Sequence, residues 1–143
     1  MHFLTDDDRT EIFYSAAHTG VIYNYETKEQ KLLQGHCNKI TAIACSDDKR
    51  WVVTADSGED SMLVVWDRNT ATPVRTYLKP HPNGVRTMDL SADNKYIATL
   101  GAESEEQTCS LWDWTDMNRD GPVCSMKFKY TEMVNHMYWI KFN

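Results

Sequence analysis

Residues 40–67 read ITAIACSDDKRWVVTADSGEDSMLVVWD, and the punctuation of this stretch decides the fold. ITAIAC alternates with the period of two that marks a half-buried strand. KRWVVTA and SMLVVWD are short runs of β-branched and aromatic residues, which suit a pleated surface. SDDKR and DSGEDS stand between them as clusters of turn formers. The stretch therefore predicts three strands joined by two hairpins.

The pattern then repeats. Residues 40–55 align without a gap on 85–100, VRTMDLSADNKYIATL, at an offset of 45. Apolar residues coincide at Ile40/Val85, Ile43/Met88, Cys45/Leu90, Val52/Ile97 and Val53/Ala98. Ser46/Ser91, Asp48/Asp93 and Thr54/Thr99 also coincide, and Trp51 matches Tyr96. VVWD at 64–67 recurs as SLWD at 110–113, one residue further on. After each Trp-Asp a turn-rich piece, RNTATP or TDMNRDGP, leads into a fourth strand, VRTYL or VCSMKF. Four strands in each unit of this length are the signature of a propeller blade, so the fold class is all-β, built from four-stranded antiparallel sheets.

Partial copies flank the two units. Residues 11–36 read as the second to fourth strands of an earlier blade, with Tyr25-Glu26 where Trp-Asp would stand. The run TDDDR before them reads as a solvated turn. MYWIKFN, at the other end, matches an opening strand. The predicted organisation is a partial blade over 1–36, blades over 37–81 and 82–136, and the first strand of a further blade over 137–143. A ring of this kind needs about four to eight blades, so the rest is expected from further sequence or from other chains. We expect a segment of a longer product.

Gly35-His36 followed at blade spacing by Trp66-Asp67 resembles the WD-repeat family, and the resemblance extends from about residue 11 onward. It implies a hydrogen-bonded tetrad of His, Ser/Thr, turn Asp and Trp, which falls here on His36, Thr54, Asp60 and Trp66. In the next blade the positions fall on His81, Thr99, Glu106 and Trp112. That second set is degenerate, because His81 lacks a preceding Gly and Glu replaces Asp. Residues 32–67 and 93–115, with DKRWVVTAD and LWDWT, are similar to a WD-repeat protein of the third radial spoke of motile cilia. This resemblance implies a non-enzymatic scaffold in the cytoskeleton of the cilium axoneme. Its implied partners are radial-spoke and axonemal subunits, a calmodulin-linked assembly and the doublet microtubule. The alternative is a general WD-repeat adaptor, either a ubiquitin-ligase substrate receptor or a microtubule-associated propeller.

Composition narrows the remaining classes. The formal charge is −6, and the basic residues are scattered among acids, which argues against nucleic acid as a partner. The apolar runs fall short of a membrane span, and MHFLTDDDRTEIF is acidic where a signal peptide is positive. Cys37, Cys45, Cys109 and Cys124 form no C-x-x-C pair, so free thiols in a reducing compartment are expected and no metal is assigned. The five histidines show no metalloprotease spacing, and six dispersed glycines make no phosphate loop, so neither a cofactor nor an enzyme is expected.

The acids of DSGEDS admit sharper readings. Asp56, Glu59, Asp60 and Asp67 fall at positions 1, 4, 5 and 12 of a calcium-loop count, but Ser61 stands where such a loop needs Gly. DSGEDS also matches a doubly phosphorylated ligase signal, which has to be extended, whereas a hairpin turn is tight. The expected arrangement places Asp60 as a buried strut for His36, with Asp56 and Glu59 free at the loop tip as candidate partner contacts. Trp51, Trp66, Trp112, Tyr96 and Tyr25 are expected in the core. Trp114, Tyr130, Tyr138 and Trp139 are less explained by strand position, and Trp114, Tyr138 and Trp139 are taken as further candidate partner contacts.

Overall fold

The structure, a computed structural model, describes residues 1–5, 8–103, 106–129, 132 and 134–140. Its described strands form three four-stranded antiparallel sheets. The first sheet contains β1 (His2–Phe3), β2 (Glu11–Ala16), β3 (Thr19–Asn24) and β4 (Gln30–Leu33). The second contains β5 (Ile40–Cys45), β6 (Trp51–Asp56), β7 (Met62–Asp67) and β8 (Thr72–Leu78). The third contains β9 (Val85–Leu90), β10 (Tyr96–Gly101), β11 (Gln107–Asp113) and β12 (Cys124–Phe128). Each sheet is a simple meander, with strands paired in chain order.

The middle sheet is covered on both faces, which explains its apolar runs. Side chains alternate across a strand, so successive residues of β6 and β7 point to opposite neighbours. Val52, Val64 and Trp66 pack with Leu4, Phe13, Ile22 and Leu33 of the first sheet. Val53, Ala55, Leu63 and Val65 pack with Val85, Leu90, Ile97 and Trp112 of the third. A strand buried on both faces has no polar side to show, and WVVTAD and MLVVWD accordingly lack alternation.

The paired residues of the repeat do the same work in two sheets. At the β5–β6 turn the Ser46 hydroxyl accepts the Trp51 amide at 2.9 Å, and Asp48 accepts the Arg50 amide at 3.1 Å. At the β9–β10 turn Ser91 accepts the Tyr96 amide at 2.9 Å, and Asp93 accepts that of Lys95 at 3.1 Å. Lys49 and Asn94 take the left-handed conformation at the equivalent step, with φ of 60° and 62°. The Trp-Asp carboxylates cap the following turns. Asp67 accepts the Asn69 amide at 2.8 Å, and Asp113 accepts that of Thr115 at 3.1 Å. These bonds hold both carboxyls below the usual range, the Asn69 amide being the largest cause at Asp67 and the Thr115 hydroxyl at Asp113.

Three expectations are corrected here. The first sheet has four strands, because His2 and Phe3 pair with Phe13 and Ile12 while Leu4 is buried in the core beneath them. A two-residue strand is too short to leave a period in the sequence. Tyr25 lies in the turn after β3, is 41% exposed and gives its hydroxyl proton to the Asp8 carbonyl, so it is not a core residue. Among the described residues of 137–143 there is no strand. A strand needs a neighbour to take its backbone bonds, and here the Trp139 amide goes to a side chain, Asp89, at 2.8 Å. Tyr130, Phe142 and part of the TDDDR run lie outside the described residues.

Candidate functional site

Two buried polar chains cross the sheets. In the second sheet the Thr54 hydroxyl accepts the indole N–H of Trp66 at 2.8 Å and lies 2.6 Å from Nε2 of His36. All three side chains are buried. The other imidazole nitrogen, Nδ1, stands 3.1 Å from the carboxylate of Asp56, which is itself fully buried. Neither of these two atoms has an aligned hydrogen-bond partner, so the contact is one of proximity. The second carboxylate oxygen of Asp56 accepts the Met62 amide at 2.6 Å, which closes the β6–β7 turn.

His36, Thr54 and Trp66 therefore meet, but Asp60 does not join them. Its side chain is 84% exposed and pairs with Lys79 at 3.5 Å. The buried strut is Asp56, which had been expected at the exposed loop tip. Thr54 and Asp56 are two apart on β6 and so share a face, which turns Asp56 toward His36. The loop beyond is braced: Ser57 bridges to Gly84, and the Gly58 amide reaches the Asn83 carbonyl at 2.9 Å. Gly84 has φ 91°, and a Cβ there would lie 2.5 Å from the Asp56 carbonyl oxygen. Ser61 is buried, so DSGEDS is not presented as an extended phosphorylated signal.

The third sheet repeats the chain with one change. Trp112 donates its indole N–H to the Thr99 hydroxyl at 2.8 Å, and Nε2 of His81 lies 2.8 Å from the same oxygen. Two residues after Thr99 comes Gly101, which has no side chain to offer. The carboxylate of Glu103 stands nearby instead, with neither oxygen hydrogen-bonded among the described residues. A Cβ at Gly101 would lie 2.0 Å from Oε2 of Glu103 and 2.9 Å from Nδ1 of His81, so the carboxylate occupies the room that Gly101 leaves. Glu106, the residue expected there, is partly exposed and pairs with Lys127 at 3.7 Å. Burial holds the His81 imidazole below its ordinary pKa, with Glu103 opposing the shift.

The candidate partner contacts separate. Trp114 is buried and packs edge-on against Trp51, with ring centroids 5.1 Å apart, and its indole N–H goes to the Asn94 carbonyl at 2.7 Å. It cannot meet a partner there, since the contact joins the second and third sheets. Trp139 is half-buried, with its indole N–H on the Asp89 carbonyl at 3.2 Å. Glu59 and Tyr138 are exposed. No group of three or more His, Cys, Asp or Glu is placed to hold a metal ion among the described residues.

Comparison with known proteins adds the lineage. All of residues 1–143 match the family described as the CFAP251 N-terminal domain. The chain is 46% identical over 148 residues to cilia- and flagella-associated protein 251 of Tetrahymena thermophila, covering 100% of this chain and 15% of that protein. Against the protein of the same name from Chlamydomonas reinhardtii it is 47% identical over 112 residues, covering 76% of this chain and 14% of the relative. The chain thus spans well under two thirds of the relatives it matches. Among solved structures, the β-propeller domain of Cps50 (Swd1) from Myceliophteria thermophila superposes with a TM-score of 0.63. That match has 20% identity and covers 84% of this chain and 35% of the other, and it speaks to the fold alone.

Proposed function

The chain belongs to the CFAP251 N-terminal domain family, and from that premise we propose that it is a non-enzymatic propeller segment of a scaffold in motile cilia. The observation that carries the reading is the 46% identity to a cilia- and flagella-associated protein over the whole chain. The finer assignment is to the third radial spoke, in a calmodulin-linked assembly that joins spokes and dyneins to the doublet microtubule. The geometry is consistent with a scaffold. Both imidazoles are buried and engaged by a hydroxyl and a nearby carboxylate, so they brace sheets and are not free to act on a substrate. Contact with neighbours would fall to exposed groups at the loops, with Glu59, Asp60 and Tyr138 as the candidates.

Axonemes compared with cytosol by quantitative proteomics test the location, and enrichment confined to cytosol would sink it. Electron tomography of cilia from cells lacking the protein tests the finer assignment. The expected result is loss or misplacement of the third spoke, and an unaltered spoke would refute it.

A further inference from the structure

Both faces of the second sheet are covered by its neighbours, so what it shows to solvent is its rim. β8 is the strand at that rim, and no strand pairs with its outer edge among the described residues. Thr72 and Pro73, which open β8, are both exposed. They form the one Ser/Thr-Pro step in the sequence, with Arg75 three residues after the threonine. The Thr72 hydroxyl lies 2.6 Å from another exposed hydroxyl, that of Thr70. A proline keeps the residue before it extended and has no N–H to tie into the sheet. The pairing of β7 with β8 is also irregular between Val65 and Trp66, which sets Thr72 and Pro73 apart from the regular ladder.

We propose that Thr72 is a phosphoacceptor for a proline-directed Ser/Thr kinase. Its Oγ1 attacks the γ-phosphorus of ATP, the bond to the β–γ bridging oxygen breaks, and ADP leaves with the electron pair. The hydroxyl proton passes to the catalytic base of the kinase. An acceptor for such an enzyme has to be extended and reachable, which Thr72 is. DSGEDS differs on that point, since Ser61 is buried and its loop is braced. Arg75 is held as part of the fold, its guanidinium donating to the carbonyls of Met117 and Arg119, so recognition rests on Pro73. The new charge has a cation to meet. Lys31 reaches over from β4 to the same turn, with Nζ 3.4 and 3.2 Å from the carbonyl oxygens of Arg68 and Asn69, and it enters no ion pair among the described residues. Asp67, which pairs with Thr72 across the turn, is already matched by the Asn69 amide and the Arg50 guanidinium. A phosphate on Thr72 therefore sets a strong acceptor in a turn that a lysine of the neighbouring sheet already touches.

The test incubates folded full-length protein with Mg²⁺-ATP and a mitogen-activated protein kinase, an enzyme class that reads the proline without a following base. Mass spectrometry of the tryptic peptide 69–75 then locates the phosphate. A single phosphate on Thr72 is expected. Thr72→Val, which keeps the β-branched shape, loses it, and Thr70→Ala keeps it. Pro73→Ala loses most of it while circular dichroism stays unchanged. Thr72 and Pro73 are exposed, so neither change reaches the core. Phosphate on Thr70 instead, an unmodified peptide from the folded protein, or undiminished phosphate in Pro73→Ala overturns the proposal.

Discussion

Nδ1 of His36 stands 3.1 Å from the carboxylate of Asp56, with both side chains fully buried, while Asp60 lies out in solvent against Lys79. Two acids four residues apart in one turn therefore have opposite fates. Removing a buried polar partner leaves the groups it faces, here the His36 imidazole and the Met62 amide, unmatched and costs about 1–3 kcal/mol for each. An exposed ion pair is worth about 0–1 kcal/mol. Asp56→Ala is expected to cost several kcal/mol in denaturant titration followed by tryptophan fluorescence, and Asp60→Ala less than about 1 kcal/mol. Equal losses would mean that Asp60 shares the strut.

The contact between Trp51 and Trp114 joins the second and third sheets, where the sequence suggested a partner anchor. Truncating a buried aromatic costs about 3–5 kcal/mol, and edge-on aromatic pairs couple by about 0.5–1.5 kcal/mol beyond their buried area. Trp114→Ala should therefore lower stability by several kcal/mol, and a double-mutant cycle with Trp51→Ala should show positive coupling. A stable variant that only loses a binding partner would restore the surface reading.

What the sequence made legible was the repeat, because a blade whose turns are closed by Ser46/Asp48 must use the same chemistry at Ser91/Asp93. The resemblance points to an acid in the turn, Asp60, whereas the strut is the last residue of the strand before it. Counting two forward from Thr54 along the strand gives Asp56 at once, since period two fixes which side chains share a face. The same count lands on Gly101 in the third sheet, where the space is taken by Glu103 from outside the strand and so beyond the reach of its period. Trp114 was illegible for another reason. Its partner, Trp51, lies 63 positions away (114 − 51) on a neighbouring sheet, and no local pattern reports such a contact.

Stability should fall on mild acidification, with His81 as one source. Burial lowers its folded pKa below the 6.5 of a free imidazole, so the unfolded chain takes up the proton first. The stabilising share is thus complete above about pH 6.5 and is lost as pH falls through the folded pKa. His2, whose pKa is also lowered, chiefly by burial, contributes with the same sign. The loss of stability between pH 7.5 and 5.5 is expected to shrink in His81→Gln, whatever that change costs at pH 7.5. An unchanged pH dependence would show that His81 binds its proton equally well in both states.

The substitution of the strut in the third sheet can be reversed by design. Gly101 aligns with Asp56, and both end the second strand of their sheets at an irregular step in the pairing with the first. Gly101 is not in the left-handed region, so its backbone accepts a side chain. The obstacle is Glu103, whose Oε2 would lie 2.0 Å from a new Cβ. Gly101→Ala alone should be destabilising, because it drives the carboxylate off His81 and supplies none in return. Glu103→Ala alone takes the carboxylate away from the imidazole and leaves the room beside Gly101 open. Gly101→Asp in the Glu103→Ala background gives the new carboxylate both the room and the partner. It is expected to recover about 1–3 kcal/mol relative to Glu103→Ala, the cost of leaving a buried polar group unmatched. Recovery specific to Asp, with Gly101→Asn giving less, would show that charge beside Nδ1 matters and not merely the filling of space. A double variant no more stable than Glu103→Ala would mean that the third blade tolerates an imidazole without its carboxylate.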